Sequence, residues 1–84
     1  MPHGNKIPVC SGKSVVKALK KIGYEIKSQR GSHIKLVRHY GKDKHIIVVP
    51  LHREMDRGTL AGIIRRVSQH YPEEEFLKIL KEIC

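Results

Sequence analysis

An α+β fold, in which one helix leads into a three-stranded antiparallel sheet and two further helices pack with it on one face, is predicted by three features of the sequence. The apolar residues Val15, Val16, Leu19 and Ile22 recur at helical spacing. Between Tyr24 and Val49 the apolar pattern changes to a period of two and to β-branched side chains. Leu60, Ile63, Ile64 and Val67 then fall at i, i+3, i+4 and i+7, the spacing of one helix face. The chain has 84 residues. A body of that size supports one modest core, so residues 11–84 read as a single domain and residues 1–10 as an N-terminal strap.

The elements follow in order. Ser11 is a suitable helix N-cap, the first helix runs from Ser14 to Ile22, and Gly23 stops it. Lys13, Lys17, Lys20 and Lys21 give that helix a lysine-rich outer face. Tyr24 and Ile26 alternate with Glu25 and Lys27, which predicts a half-buried first strand with both apolar residues inward. Gly31 supplies a turn, and from Ser32 to His39 the pair Ile34 and Leu36 points to the core while His33 and Lys35 share the opposite face. Residues Tyr40 to Lys44 read as a hairpin loop. The run Ile46 to Val49 is continuously apolar and predicts a central or well-buried strand, closed by Pro50. After the Leu60 to Val67 helix, Pro72 suits the first position of a last helix that opens on Glu73, Glu74 and Glu75 and buries Phe76, Leu77, Leu80 and Ile83. Connections this short favour a meander with all helices on one side.

Charge names the class of partner. Seventeen Lys and Arg against eight Asp and Glu give a net charge of +9. Residues 1–50 hold eleven basic and two acidic residues, whereas residues 51–84 hold six of each, so the positive character belongs to the N-terminal part. Nucleic acid is the natural partner, with solubility as the competing account. No apolar run approaches a membrane span and no signal core opens the chain, so a cytoplasmic location is expected, without a membrane partner. Cys10 and Cys84 match no metal or redox spacing and are expected to be free thiols.

Six histidines are present: His3, His33, His39, His45, His52 and His70. Cutting RNA without a metal requires one proton to leave the ribose 2′-hydroxyl and another to reach the departing 5′-oxygen, and an imidazole with a pKa of about 6.5 suits both tasks. His33 stands out by position. It follows Gly31, which lets a phosphate approach the backbone, and Ser32, whose hydroxyl can bond a phosphate oxygen; Arg30 and Lys35 flank it with charge for the non-bridging oxygens. By pattern alone it is equally a polar residue on an exposed sheet face. His52, just after the third strand, is a candidate for the second proton transfer or for a hydrogen bond within its connector. His39 and His45 flank the hairpin without a third ligand at metal-binding spacing, so no metal or other cofactor is expected. Ser11-Gly12-Lys13-Ser14 lacks the earlier glycine of a phosphate-binding loop. Arg57-Gly58-Thr59 opens a helix, either as a phosphate site or as a segment capped by Asp56 or Thr59.

Taken together, Gly31-Ser32-His33, Val48-Val49-Pro50-Leu51-His52, Arg57-Gly58-Thr59-Leu60 and the leading Val16-Lys17-Ala18-Leu19 resemble the HicA toxins, also called the YcfA-like family, from about Ser11 to about Leu80. The resemblance implies a double-stranded-RNA-binding-domain-like fold and a ribosome-independent, metal-independent mRNA endoribonuclease of little sequence preference. It places the family's catalytic histidine on His33, with single-stranded or structured mRNA as substrate. It further implies a HicB-like antitoxin that covers that histidine, growth arrest under stress following its release. A non-catalytic RNA-binding module, or a domain for an acidic protein partner, is the alternative reading of the same basic surface. The longer N-terminal strap, the extended hairpin around Asp43 and Tyr71-Pro72 depart from the family pattern.

Overall fold

The structure, a computed structural model, describes residues 7–84. Helix α1 spans Gly12–Lys21, strands β1, β2 and β3 span Glu25–Arg30, His33–Tyr40 and Asp43–Pro50, and helices α2 and α3 span Arg57–Val67 and Glu73–Ile83. The α+β arrangement expected from the sequence is present, and it is consistent with the fold of double-stranded-RNA-binding domains. His3 and residues 1–6 of the strap lie outside the described residues.

Two-residue turns set the sheet topology. Gly31 and Gly41 each adopt positive φ, 58° and 60°, and fold β1, β2 and β3 into an antiparallel meander with β2 in the middle. The expected five-residue hairpin loop is therefore shorter, since Tyr40 and Asp43 already pair. Two strand expectations are corrected. β3 is an edge strand rather than a central one: Ile47 and Val49 are buried under the helices, while Val48 on the other face is 47% exposed. Ile26 is likewise 47% exposed, because β1 is the opposite edge and a bulge between Ile26 and Ser28 turns the strand away from the helices, so that only Tyr24 of that pair is buried.

One core results. Ile34 and Leu36 of β2 and Ile47 and Val49 of β3 meet Val15, Ala18 and Leu19 of α1, Leu60, Ile63, Ile64 and Val67 of α2, and Phe76, Leu77 and Leu80 of α3. Ile83 is only partly buried. Caps match the sequence at the first two helices: Ser11 accepts from the Ser14 N–H at 3.1 Å and Asp56 from the Thr59 N–H at 3.1 Å.

Cys10 and Cys84 are joined in a disulfide, which corrects the expectation of two free thiols. Their separation of 74 positions conceals the proximity in sequence: α3 packs on α1 and delivers its C-terminus to the point where α1 begins, so the two Cα atoms stand 5.1 Å apart. Two residues after Cys10, Gly12 is the most tightly confined of the described glycines. Its N–H donates to the His52 carbonyl at 2.8 Å, and a Cβ here would run into the Pro50 carbonyl oxygen and lie 2.8 Å from the Leu51 Cα. All of these neighbours are backbone and cannot swing aside. The glycine is required by this contact, not by phosphate.

Two outcomes are expected. Gly12→Ala should destabilise the domain by about 1–3 kcal/mol, read from denaturant unfolding, because overpacking against backbone forces a shift of α1 or of residues 50–52. Reducing the disulfide should cost about 2–4 kcal/mol, since it releases the constraint on a loop that encloses nearly the whole chain; a thermal midpoint unchanged by a phosphine reductant would contradict this.

Candidate functional site

Arg30, His33 and Lys35 are assembled by strand register. Arg30 pairs with His33 across the β1–β2 hairpin, His33 pairs with Pro50 of β3, and Lys35 pairs with Ser28 and Val48. Side chains alternate along a strand, so His33 and Lys35 project from the face that carries Arg30 and Val48, away from the helices. All three basic residues are exposed. Gly31 and Ser32 form the two-residue turn between Arg30 and His33. No described atom lies within 4 Å of where a Gly31 Cβ would stand, so it is the left-handed backbone, not crowding, that selects glycine.

His52 is held at the same end of the sheet. The Leu51 N–H donates to the Ser32 carbonyl at 2.6 Å, which extends the β2–β3 ladder one step past Pro50. The His52 carbonyl takes the Gly12 N–H, and its imidazole is left exposed. The structure thus groups Arg30, Gly31, Ser32, His33, Lys35 and the His52 segment around one turn. The entry to α2 resolves toward capping: Thr59 donates from its hydroxyl at 2.8 Å and from its N–H to the Asp56 carboxylate, and these bonds hold that carboxyl below its usual range. An acid group already sits where a phosphate would.

His39 and His45 do not form a pair. His39 is opposite Lys44 and exposed, whereas His45 is opposite Arg38 and points to the helix side. Among the described residues no three His, Cys, Asp or Glu side chains converge as metal ligands, and no helix is long and apolar enough to cross a membrane.

A family model for the HicA toxin of bacterial toxin-antitoxin systems matches residues 12–68, about two thirds of the chain. The chain belongs to the HicA toxin family. It is accordingly a toxin of the toxin-antitoxin type, with an antitoxin as its implied partner. A comparison with curated proteins finds no match. The match to the HicA family covers the whole segment that builds the site, from Gly12 through the turn at Gly31 to the His52 connector, and extends over α2.

Sequence reasoning missed one polar cluster in this HicA-family domain. His45, only 7% exposed, shares a 2.8 Å hydrogen bond through Nδ1 with the Tyr24 hydroxyl and meets His70 edge-on at 4.7 Å. His70 stacks on Tyr40 at 4.3 Å, and the Arg38 guanidinium lies over the Tyr40 ring at 4.6 Å. Burial raises the pKa of Tyr24 and keeps its hydroxyl protonated. The alternation His45, Ile47, Val49 was the available signal, because it puts His45 on the buried face once the turn is shortened to Gly41-Lys42.

The cluster makes stability depend on pH. Burial first, then the positive charge of Arg66 and of His70, lowers the pKa of His45 from its ordinary 6.5, while Gln69 pulls the other way. The unfolded chain therefore binds this proton more readily than the folded one, and stability is lost as pH falls below about 6.5 toward the lowered folded value. The thermal midpoint should fall between pH 7.5 and pH 5.5, and fall less in His45→Gln, measured by circular dichroism at constant ionic strength.

Proposed function

We propose that this chain is an endoribonuclease that cuts mRNA at His33 without a metal ion. The observation that carries the reading is the register that sets Arg30, His33 and Lys35 on one exposed sheet face beside the Gly31-Ser32 turn. Membership of the HicA family supports it. In the reaction the ribose 2′-oxygen attacks the adjacent phosphorus as its proton is removed, and the phosphorus to 5′-oxygen bond breaks as that oxygen gains a proton. The products are a 2′,3′-cyclic phosphate and a 5′-hydroxyl. His33 carries one of the two protons, and His52 is the group we assign to the other. Arg30, Lys35 and the Ser32 hydroxyl hold the phosphate and offset the charge that grows on its non-bridging oxygens. Gly31 leaves the approach open.

The same face serves regulation. A HicB-type antitoxin is the partner in this reading, and by covering the β1–β2 turn it hides His33 from RNA. The site of action is the cytoplasm, where mRNA is exposed.

The test is incubation of purified protein with RNA in EDTA, followed by analysis of the RNA ends. Wild type should yield cyclic phosphates, and His33→Ala should lower the rate by roughly 10²–10⁴-fold with unchanged circular dichroism. His52→Ala should also slow cleavage and flatten one limb of the pH–rate profile. RNA that stays intact with folded wild type, yet binds in a salt-sensitive way, would instead identify a non-catalytic RNA-binding module.

A further inference from the structure

The outer face of α1 carries four lysines that the core does not use. Lys13, Lys17, Lys20 and Lys21 are all exposed and line one shallow concavity together with Val16. At 100° per residue they fall within a stripe of ~100° that extends about 12 Å along the helix axis. Among the described residues no carboxylate pairs with any of them, and the first turn of α1 contains no acidic residue.

Part of this arrangement works against the helix. Lys13 places positive charge at the positive end of the helix dipole, and Lys13, Lys17 and Lys21 repel one another at i, i+4 spacing, although Lys20 and Lys21 in the last turn suit the dipole. α3 shows the opposite choice, with Glu73, Glu74 and Glu75 in its first turn. A stripe of one sign whose mutual repulsion no carboxylate of its own helix relieves suits an external polyanion.

Its position names which one. α1 begins at Gly12, whose N–H bonds to the His52 carbonyl, and Leu51 bonds to Ser32, so two successive backbone hydrogen bonds link the start of the stripe to the segment that carries His33. We infer that the α1 lysines form a track for the RNA sugar–phosphate backbone, separate from the His33 face, which holds the strand on its way to the turn. The inference rests on RNA being the ligand of this domain. An RNA backbone is favoured over a protein partner because the stripe presents ammonium groups in a line, with Val16 buried between them, whereas the core of a protein interface is depleted in lysine and centred on apolar or aromatic anchors.

The experiment measures anisotropy of a fluorescein-labelled 20-nucleotide single-stranded RNA of mixed sequence in a His33→Ala background, so that cleavage does not intervene. The α1 double variant Lys17→Gln, Lys21→Gln is compared with Lys78→Gln, Lys81→Gln on α3, which removes the same charge from exposed positions. The α1 variant should weaken binding roughly ten- to thirtyfold at moderate salt and lower the slope of log K against log salt by about 1.4, two lysines at ~0.7 each. The α3 variant should change both much less. The melting temperature of the α1 variant should stay level or rise, which excludes misfolding. With His33 restored, the α1 variant should raise KM and leave kcat unchanged. Equal weakening by the two variants, an unchanged salt slope, or a loss confined to binding of the antitoxin would overturn the track. Cleavage that survives His33→Ala would remove the proposed chemistry, and the binding comparison is then read with the same RNA carrying 2′-O-methyl groups, which lacks the attacking hydroxyl.

Discussion

Most of what positions this site depends on a backbone junction in which residues 50–55 are held between the sheet and α1. Leu51 donates to Ser32, Gly12 donates to His52, and Met55 donates to Cys10 at 2.7 Å. Each bond joins segments far apart in sequence, and each saturates a backbone group that would otherwise be left without a partner beside the core. The junction is possible because Gly12 lets α1 approach the chain after Pro50 without a side chain between them. Pro50 closes β3, and Leu51 makes one further bond to β2 before the chain passes to α1. The disulfide fixes the same corner from the other side, since Cys10 is the residue that receives the Met55 N–H.

This corner explains how a small sheet presents an open basic face. Two-residue turns keep β2 in the middle, the helices fill one side, and the other side is left to Arg30, His33, Lys35 and Val48. The core needs only one face of the sheet. Positive charge is then concentrated on the outer sheet face and α1, while the acidic residues gather in α3 and around the α2 cap. The cluster of buried His45 and Tyr24 with half-buried Arg38 and exposed His70 lies at the far end of the strands, where β2 and β3 turn at Gly41. One end of the hairpin system is stitched by backbone bonds to α1, and the other is closed by rings and one guanidinium.

Much of this was legible in the sequence, for identifiable reasons. Helical spacing located α1 and α2 because each carries one clean apolar stripe, and Ser11, Gly23 and Asp56 marked their ends through local hydrogen bonds or backbone conformation. His33 and Lys35 were placed on the open face because alternation along β2 is unambiguous there. What misled was context that spacing does not encode. Ile46 to Val49 read as central because the run is apolar throughout, yet being central is decided by pairing, and a two-residue turn forces that role onto β2. Gly12 read as a failed phosphate loop because its true neighbours, Pro50 and Leu51, are remote in the chain. The disulfide was invisible for the same reason: only the packing of α3 on α1 brings Cys84 to Cys10.

The exposure of His33 has a functional corollary on the proposed reading. A histidine on an open strand, flanked by cations and a glycine turn, reaches phosphate and ribose, which every RNA presents alike. His33 is exposed, and contacts of this kind meet phosphate and ribose rather than a base edge. On that reading discrimination among bases is weak, and affinity comes chiefly from charge. The turn that carries it is two residues long and pinned by register on one side and by Leu51 on the other. On the proposed reading control comes from a partner that covers the face. A toxin whose implied partner is an antitoxin is the setting in which such an uncovered site is tolerable, and the basic surface that gathers RNA also offers an acidic partner a place to bind in its stead.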